Sequence, residues 1–236
     1  MTQQLILDIL PPSPQTLGNF IAGENHAALD ALRHCKAGRA IYLWGPPGAG
    51  RSHLLHAVSD TVNAIYFGAT QDESELQELA TGDSIGYRLI AIDDVERFND
   101  RQQAALFSLY NRWRESASSE DAFILVVAGD RAPMAMPLRE DLRTRLGWDL
   151  SFRVHLLSDD DRAQALRRRA QDRGLKLAPE VINWLLTHYT RDMSRLGSLV
   201  DALDRYSLER HRPVTLPLLK ELLASSQTPT PDTNTP

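Results

Sequence analysis

The sequence predicts an α/β fold, a five-stranded parallel sheet followed by a small helical domain, on three observations. First, short apolar runs rich in β-formers recur at residues 40–44, 64–67, 89–92, 123–127 and 152–155, separated by helical patterns such as that of residues 102–113. Strands buried on both faces read as continuous apolar runs, and their alternation with helices is what parallel connections require. Second, the first run, Ala40-Ile-Tyr-Leu-Trp44, ends at a glycine-rich loop and is followed by the helix-compatible run Ser52 to Val58. Third, the strand signals stop after about Leu157, and the helical patterns 159–172, 179–189, 193–211 and 216–223 take over. Ser158, three residues before Asp161, suits a helix N-cap, and Pro179 suits a first helical turn.

These signals divide the chain into an N-terminal peptide (1–12), an α/β core (13–157), a helical domain (158–224) and a tail (225–236) of Thr, Pro, Asn and Asp. The tail lacks periodicity and the apolar surface needed to order itself, so it is expected to be disordered. A chain of 236 residues that is 42% hydrophobic can bury one substantial core and a smaller one. No stretch approaches a membrane span, and the polar start lacks the basic and apolar regions of a secretory signal; a cytoplasmic protein with no membrane partner is expected. Cys35 is the one cysteine, which excludes an internal disulfide and a multi-cysteine metal site. The net charge of -5 argues against a protein whose main task is to hold phosphate backbone.

The loop Gly45-Pro46-Pro47-Gly48-Ala49-Gly50-Arg51-Ser52 fits the pattern in which backbone amides turn inward around phosphate oxygens while a helix presents its positive end to the same anion. Ser52 is in place to offer its hydroxyl to Mg²⁺. Arg51 stands where this pattern has a lysine. A planar guanidinium retains attraction for phosphate but alters the geometry at the γ-phosphate, so binding with slow hydrolysis is expected.

The run Leu89-Ile-Ala-Ile92 ends in Asp93 and Asp94. After a phosphate loop, the first carboxylate suits Mg²⁺ and the second suits orientation of an attacking water. Asp130 follows the fourth run, at the sheet edge where open α/β folds bind ligands; it is equally placed to sense a phosphate or to cap a turn. The arginines of Leu138-Arg-Glu-Asp-Leu-Arg-Thr-Arg145-Leu-Gly-Trp148 suit a solvated helix face, or a cation that reaches a neighbouring subunit's phosphates.

Taken together, the phosphate loop, the Asp-Asp pair, Asp130, Arg145 and Asp192-Met-Ser-Arg195 resemble the AAA+ module of the bacterial replication initiator DnaA over residues 17–223. Gly-Ala-Gly-Arg-Ser-His-Leu-Leu-His, with arginine for lysine, is similar to the regulatory branch of that family. The resemblance implies an AAA+ core with a helical lid. In it Arg145 would be an arginine finger acting in trans, Asp130 the first sensor and Arg195 the second. The loop from Gly45 to His53 would hold ADP or ATP with Mg²⁺, and the segment Leu17 to Asn25, with Phe20, would flank the adenine. Gln4-Leu5-Ile6-Leu7-Asp8-Ile9 resembles the Gln-Leu-x-Leu-x-Leu peptide that docks such regulators on the DNA polymerase III sliding clamp, with Gln4, Leu5, Leu7 and Ile9 as anchors. Ile6 and Asp8 replace the small residue and the proline common between the anchors.

The implied function is an ADP-bound regulator that, with the DNA-loaded clamp, stimulates hydrolysis of DnaA-bound ATP and represses re-initiation. DNA would be met only through the clamp, because only a short polar tail follows the lid where initiators carry a basic domain. Two alternatives stay open at this level. One is a self-hydrolysing ATPase or loader, as a homo-oligomer with Arg145 completing its own sites; the other is a scaffold with a relic phosphate loop.

Overall fold

The computed structural model describes residues 14–61, 63–82, 85–190 and 192–225. They fall into two compact units, one spanning Pro14–Leu157 and the other beginning at Ser158.

In the first unit the order is α1 (His26–Arg33), β1 (Ala40–Trp44), α2 (Arg51–Ser59), β2 (Ala64–Phe67), α3 (Glu73–Thr81), β3 (Leu89–Ile92), α4 (Asp100–Ser116), β4 (Ile124–Gly129), α5 (Glu140–Leu146) and β5 (Leu150–Arg153). The strands form one sheet in the order β2-β3-β4-β1-β5, with every pairing parallel. Side chains alternate between the two faces, so each central strand feeds two cores. Ala40 and Tyr42 of β1, Ile90 and Ile92 of β3, and Leu125 and Val127 of β4 pack with Leu76, Leu106, Leu109 and Leu142 of α3, α4 and α5. Ile41, Leu43, Ala91, Val126 and Ala128 pack on the other face with Leu29 and Leu32 of α1 and Leu54, Leu55 and Val58 of α2. The result is a three-layer α/β/α unit.

Two strand positions differ from the sequence expectation. β4 is Ile124–Gly129 where 123–127 was expected, and β5 is Leu150–Arg153 where 152–155 was expected. β5 lies at the sheet edge, and its Ser151 and Arg153 face solvent, so its apolar signal is weak and its bounds fall two residues before the expected run. Gly129 stays in β4 because the strand continues opposite Trp44, and a Cβ there would meet Tyr42 Oη at 2.5 Å. Asn25, 2% exposed, ties the start of α1 to the end of the sheet: its Oδ1 accepts from the His155 amide at 2.6 Å and its Nδ2 donates to the His155 carbonyl at 3.0 Å.

The second unit comprises α6 (Asp159–Asp172), α7 (Pro179–His188), α8 (Met193–Arg210) and α9 (Leu216–Ser225). Ser158 Oγ accepts from the Asp161 amide at 3.1 Å and donates to the Asp161 carboxylate at 2.6 Å, and Pro179 opens α7. Ser225 is the last residue of α9 rather than the start of a tail, since the helix runs beyond its apolar residues; residues 226–236 lie outside the described residues. The core of this unit includes Leu166, Ile182, Leu185, Leu196, Val200 and Leu218. Beside it, Asp201 accepts from Arg169 at 3.0 and 2.7 Å and pairs with Arg173 Nε at 2.9 Å. Gly197 makes room for this network, because a Cβ there would meet Arg169 Nη1 at 2.8 Å. Asp201→Ala leaves two guanidiniums without their shared, 6% exposed carboxylate. An expected loss of about 2–3 kcal/mol, below the fully buried case because Arg169 is partly exposed, is measurable by urea unfolding.

Candidate nucleotide-binding site

The parallel register decides which residues share the carboxyl edge of the sheet. Ile92 is opposite Val127 and Trp44 is opposite Gly129, so Asp93, Asp130 and Gly45 leave neighbouring strands at the same edge. This is the ligand-binding edge of an open α/β sheet, where strand order changes direction between β1 and β4.

The loop from Gly45 to Gly50 needs its glycines for different reasons. Gly48 and Gly50 have φ of +81° and +100°, a region that side chains with a Cβ seldom enter. A Cβ on Gly50 would also strike Phe20 Cε2 at 2.8 Å. At Gly45 the cause is packing: a Cβ would sit 2.1 Å from the Val154 carbonyl oxygen. Pro47 and Gly48 are exposed, Pro46 is half-buried, and Ala49 is buried among the residues of α1 and α2. α2 then starts on Gly50, with no side chain to cap it, so its first-turn amides are left for an anion or water.

Arg51 is 8% exposed. Its Nη1 has no hydrogen-bond partner, and its Nη2 lies 3.7 Å from Glu96 Oε1, a charge contact too long for a hydrogen bond. Glu96 comes from the 3-10 turn Val95–Arg97 after β3; its Oε2 is also without a partner, and burial pushes its carboxyl above the usual carboxylate range. A buried cation with so few partners is costly, and an anion donating oxygens to Nη1 removes that cost. The residues therefore fit a phosphate-bearing ligand. Glu96 was not singled out in the sequence; its signal was its position two residues after the acidic pair.

Asp93 is 1% exposed. Its Oδ1 accepts from the Asp94 amide at 2.8 Å and its Oδ2 from Tyr66 Oη at 3.0 Å, so its carboxylate is held in one orientation. Burial and the adjacent Asp93 carboxylate raise the Tyr66 hydroxyl pKa, which keeps it a proton donor to that oxygen. Ser52, at the second position of α2, is exposed. No group of three or more His, Cys, Asp or Glu that could hold a metal occurs among the described residues. Mg²⁺ seldom needs one, being held by one or two side chains, phosphates and water; Ser52 and Asp93 fit that minimal set.

Asp94 sits at φ +52° and its carboxylate lies 3.4 Å from Arg97 Nη1. Asp130 Oδ2 accepts from Arg131 Nε at 3.2 Å, and its buried Oδ1 has no partner. His53 Nε2 is 3.1 Å from the Thr16 carbonyl, and the His53 ring meets Phe20 edge-on at 5.4 Å between centroids. Phe20 is thus brought to the loop, between Gly50 and His53.

Arg145 has partners of a different kind. Its Nε and Nη2 donate to Asn111 Oδ1 at 3.2 and 2.8 Å, and its Nη1 to the Asp141 carbonyl at 3.1 Å. The guanidinium lies 3.6 Å from the Phe107 ring centroid and 4.6 Å from that of Trp148. Burial lowers its pKa from the ordinary arginine value. All these partners belong to α4, α5 and the turn after α5, not to the phosphate loop. Arg195, in the second unit, is exposed in the first turn of α8, its amide donating to Asp192 Oδ1 at 3.1 Å. Gln4, Leu5, Leu7 and Ile9 lie outside the described residues.

Residues 159–223 match the family model of the Hda lid domain. Among solved structures, domain III of the Thermotoga maritima replication initiation protein DnaA is similar with a TM-score of 0.74 and 22% identity, covering 93% of this chain and 100% of that one. DnaA from Aquifex aeolicus bound to AMPPCP has a TM-score of 0.67 and 23% identity, covering 86% of this chain and 68% of that one. The Holliday junction branch migration motor RuvB of Thermotoga maritima is similar at a TM-score of 0.67 and 16% identity, covering 90% of this chain and 72% of that one. At such identities these likenesses establish the fold, to which the lid match adds the lineage of the helical unit. The chain has the fold of DnaA domain III, a five-stranded α/β unit followed by a helical unit whose residues 159–223 match the Hda lid family.

Proposed function

We propose that this chain is a nucleotide-held regulator of replication initiation that stimulates hydrolysis of ATP bound to DnaA, working with the DNA-loaded sliding clamp. The observation that carries the reading is the match of its second unit to the Hda lid. In this role the chain's own loop, Gly45 to Ser52, holds ADP in preference to turning over ATP. Arg51 contributes attraction for the phosphates, Ser52 and Asp93 hold Mg²⁺, and Phe20 and His53 border the loop. Bound ADP supplies the anion that Arg51 and the first turn of α2 accommodate. Arg145 is the residue offered to the initiator's ATP, where a guanidinium stabilises charge that develops on phosphoryl transfer. The clamp contact is assigned to Gln4, Leu5, Leu7 and Ile9.

The deciding measurement is conversion of initiator-bound ATP to ADP, with and without this chain, clamp, DNA and ADP. Conversion that depends on all of them is expected; robust ATP turnover by the purified chain alone would instead favour a self-hydrolysing ATPase. The nucleotide reading has its own check. A ligand that binds only the folded state stabilises it by about 2.7 kcal/mol at a hundredfold excess over its Kd. At ~2–4 °C per kcal/mol for a chain of this size, saturating ADP is expected to raise Tm by about 5–10 °C. No shift would count against an intact site.

A further inference from the structure

We propose that Glu96 is a specificity-determining residue of the phosphate site: an internal counter-charge to Arg51 that penalises each added phosphate and so favours a nucleoside diphosphate over a triphosphate. The inference rests on the nucleotide-holding reading above. Arg51 is the only cation of the loop, and its side chain is 8% exposed beside a Glu96 side chain that is 17% exposed. Neither group is satisfied by the other. The 3.7 Å contact leaves Arg51 Nη1 and Glu96 Oε2 both without hydrogen-bond partners. Arg51 Nη1 is therefore free to take an oxygen from a ligand, but only within the field of a carboxylate that remains at its other edge.

The surroundings reinforce that field. Asp130 lies close enough to Glu96 to raise its pKa by charge repulsion, as does Asp94, and the buried Asp130 Oδ1 is unpartnered as well. The cations on these two, Arg131 and Arg97, sit on the more exposed side, with side chains 55% and 59% exposed. Against one buried guanidinium, this edge presents Glu96 and Asp130, apart from the Asp93 carboxylate assigned above to Mg²⁺. ATP carries one more negative charge than ADP, and that charge must enter where these carboxylates already outnumber the cation. Electrostatics between charges a few ångströms apart at an effective dielectric of ~20 is worth about tenfold or more in affinity.

The test titrates the full chain and Glu96→Gln with ADP and with ATP by calorimetry, in Mg²⁺ and in EDTA. The expected result is that ATP affinity rises more than ADP affinity, so that the preference for ADP falls about tenfold. Glu96→Asp, which keeps the charge, is expected to keep the wild-type preference within about threefold. Should Glu96→Gln fail to fold, Glu96→Met, which fills a similar volume without a polar atom, is expected to show the same fall. A merely structural role would weaken both nucleotides together and leave their ratio unchanged; that result overturns the proposal while the nucleotide site stands. Binding of neither nucleotide by wild type or variant would overturn the nucleotide reading itself, and this proposal with it.

Discussion

Arg145→Ala is expected to reduce the stimulated hydrolysis of initiator-bound ATP by about 10³-fold or more, the range an arginine finger contributes, while ADP binding by the chain is unchanged. The separation of the two effects follows from geometry. Every polar partner of Arg145 lies on Asn111 or Asp141, and its rings are Phe107 and Trp148, so nothing in the phosphate loop depends on it. Loss of the ring contacts costs ~0.5–2 kcal/mol, a Tm decrease of a few degrees that leaves the chain folded. Arg145→Lys retains the charge but not the planar fork that spans Asn111 and stacks on Phe107, and it is expected to lose most of the stimulation as well. Wild-type conversion of initiator-bound ATP by Arg145→Ala, in the presence of clamp and DNA, would remove this residue from the role.

Gly45→Ala is expected to lower stability by about 3 kcal/mol or more, the range of severe overpacking, and to abolish nucleotide binding through the displaced loop. The added methyl would lie 2.1 Å from the Val154 carbonyl oxygen. That atom cannot retreat easily, because the Val154 amide donates to the Trp44 carbonyl at 2.7 Å and the Gly45 amide to the Gly129 carbonyl at 3.3 Å. Moving either backbone disturbs the junction of β1 with β4 and β5. Urea unfolding and ADP titration measure the two parts of the prediction; a variant of wild-type stability would show that the β1–β5 junction can absorb the methyl group.

The contrast between Gly45 and Gly50 illustrates what a sequence conveys. Both were expected from the loop pattern, and for Gly50 the backbone freedom that pattern needs is seen in a φ of +100°, while the close approach of Phe20 was not foreseen. For Gly45 the reason is a strand that arrives more than a hundred residues later, and no local pattern encodes that approach. Glu96 was passed over on the same ground. Its meaning depends on Arg51, which reaches it only because α2 and the turn after β3 meet at one sheet edge. Arg145 read either as a charge on a solvated helix face or as a cation reaching a neighbouring subunit; what no spacing conveyed is its seat between Phe107 and Trp148.

The sequence by itself determined the sheet strands 40–44, 64–67 and 89–92, the phosphate loop between β1 and α2, and the start of the helical unit at Asp159. Those features are local: buried parallel strands need unbroken apolar runs, helices need caps, and a loop around phosphate needs glycine. The tertiary structure alone decided the order β2-β3-β4-β1-β5, and with it the convergence of Gly45, Asp93 and Asp130. It also decided that the buried Arg51 would face Glu96, because charge, burial and close approach between distant segments are properties of packed neighbours and not of spacing along a chain.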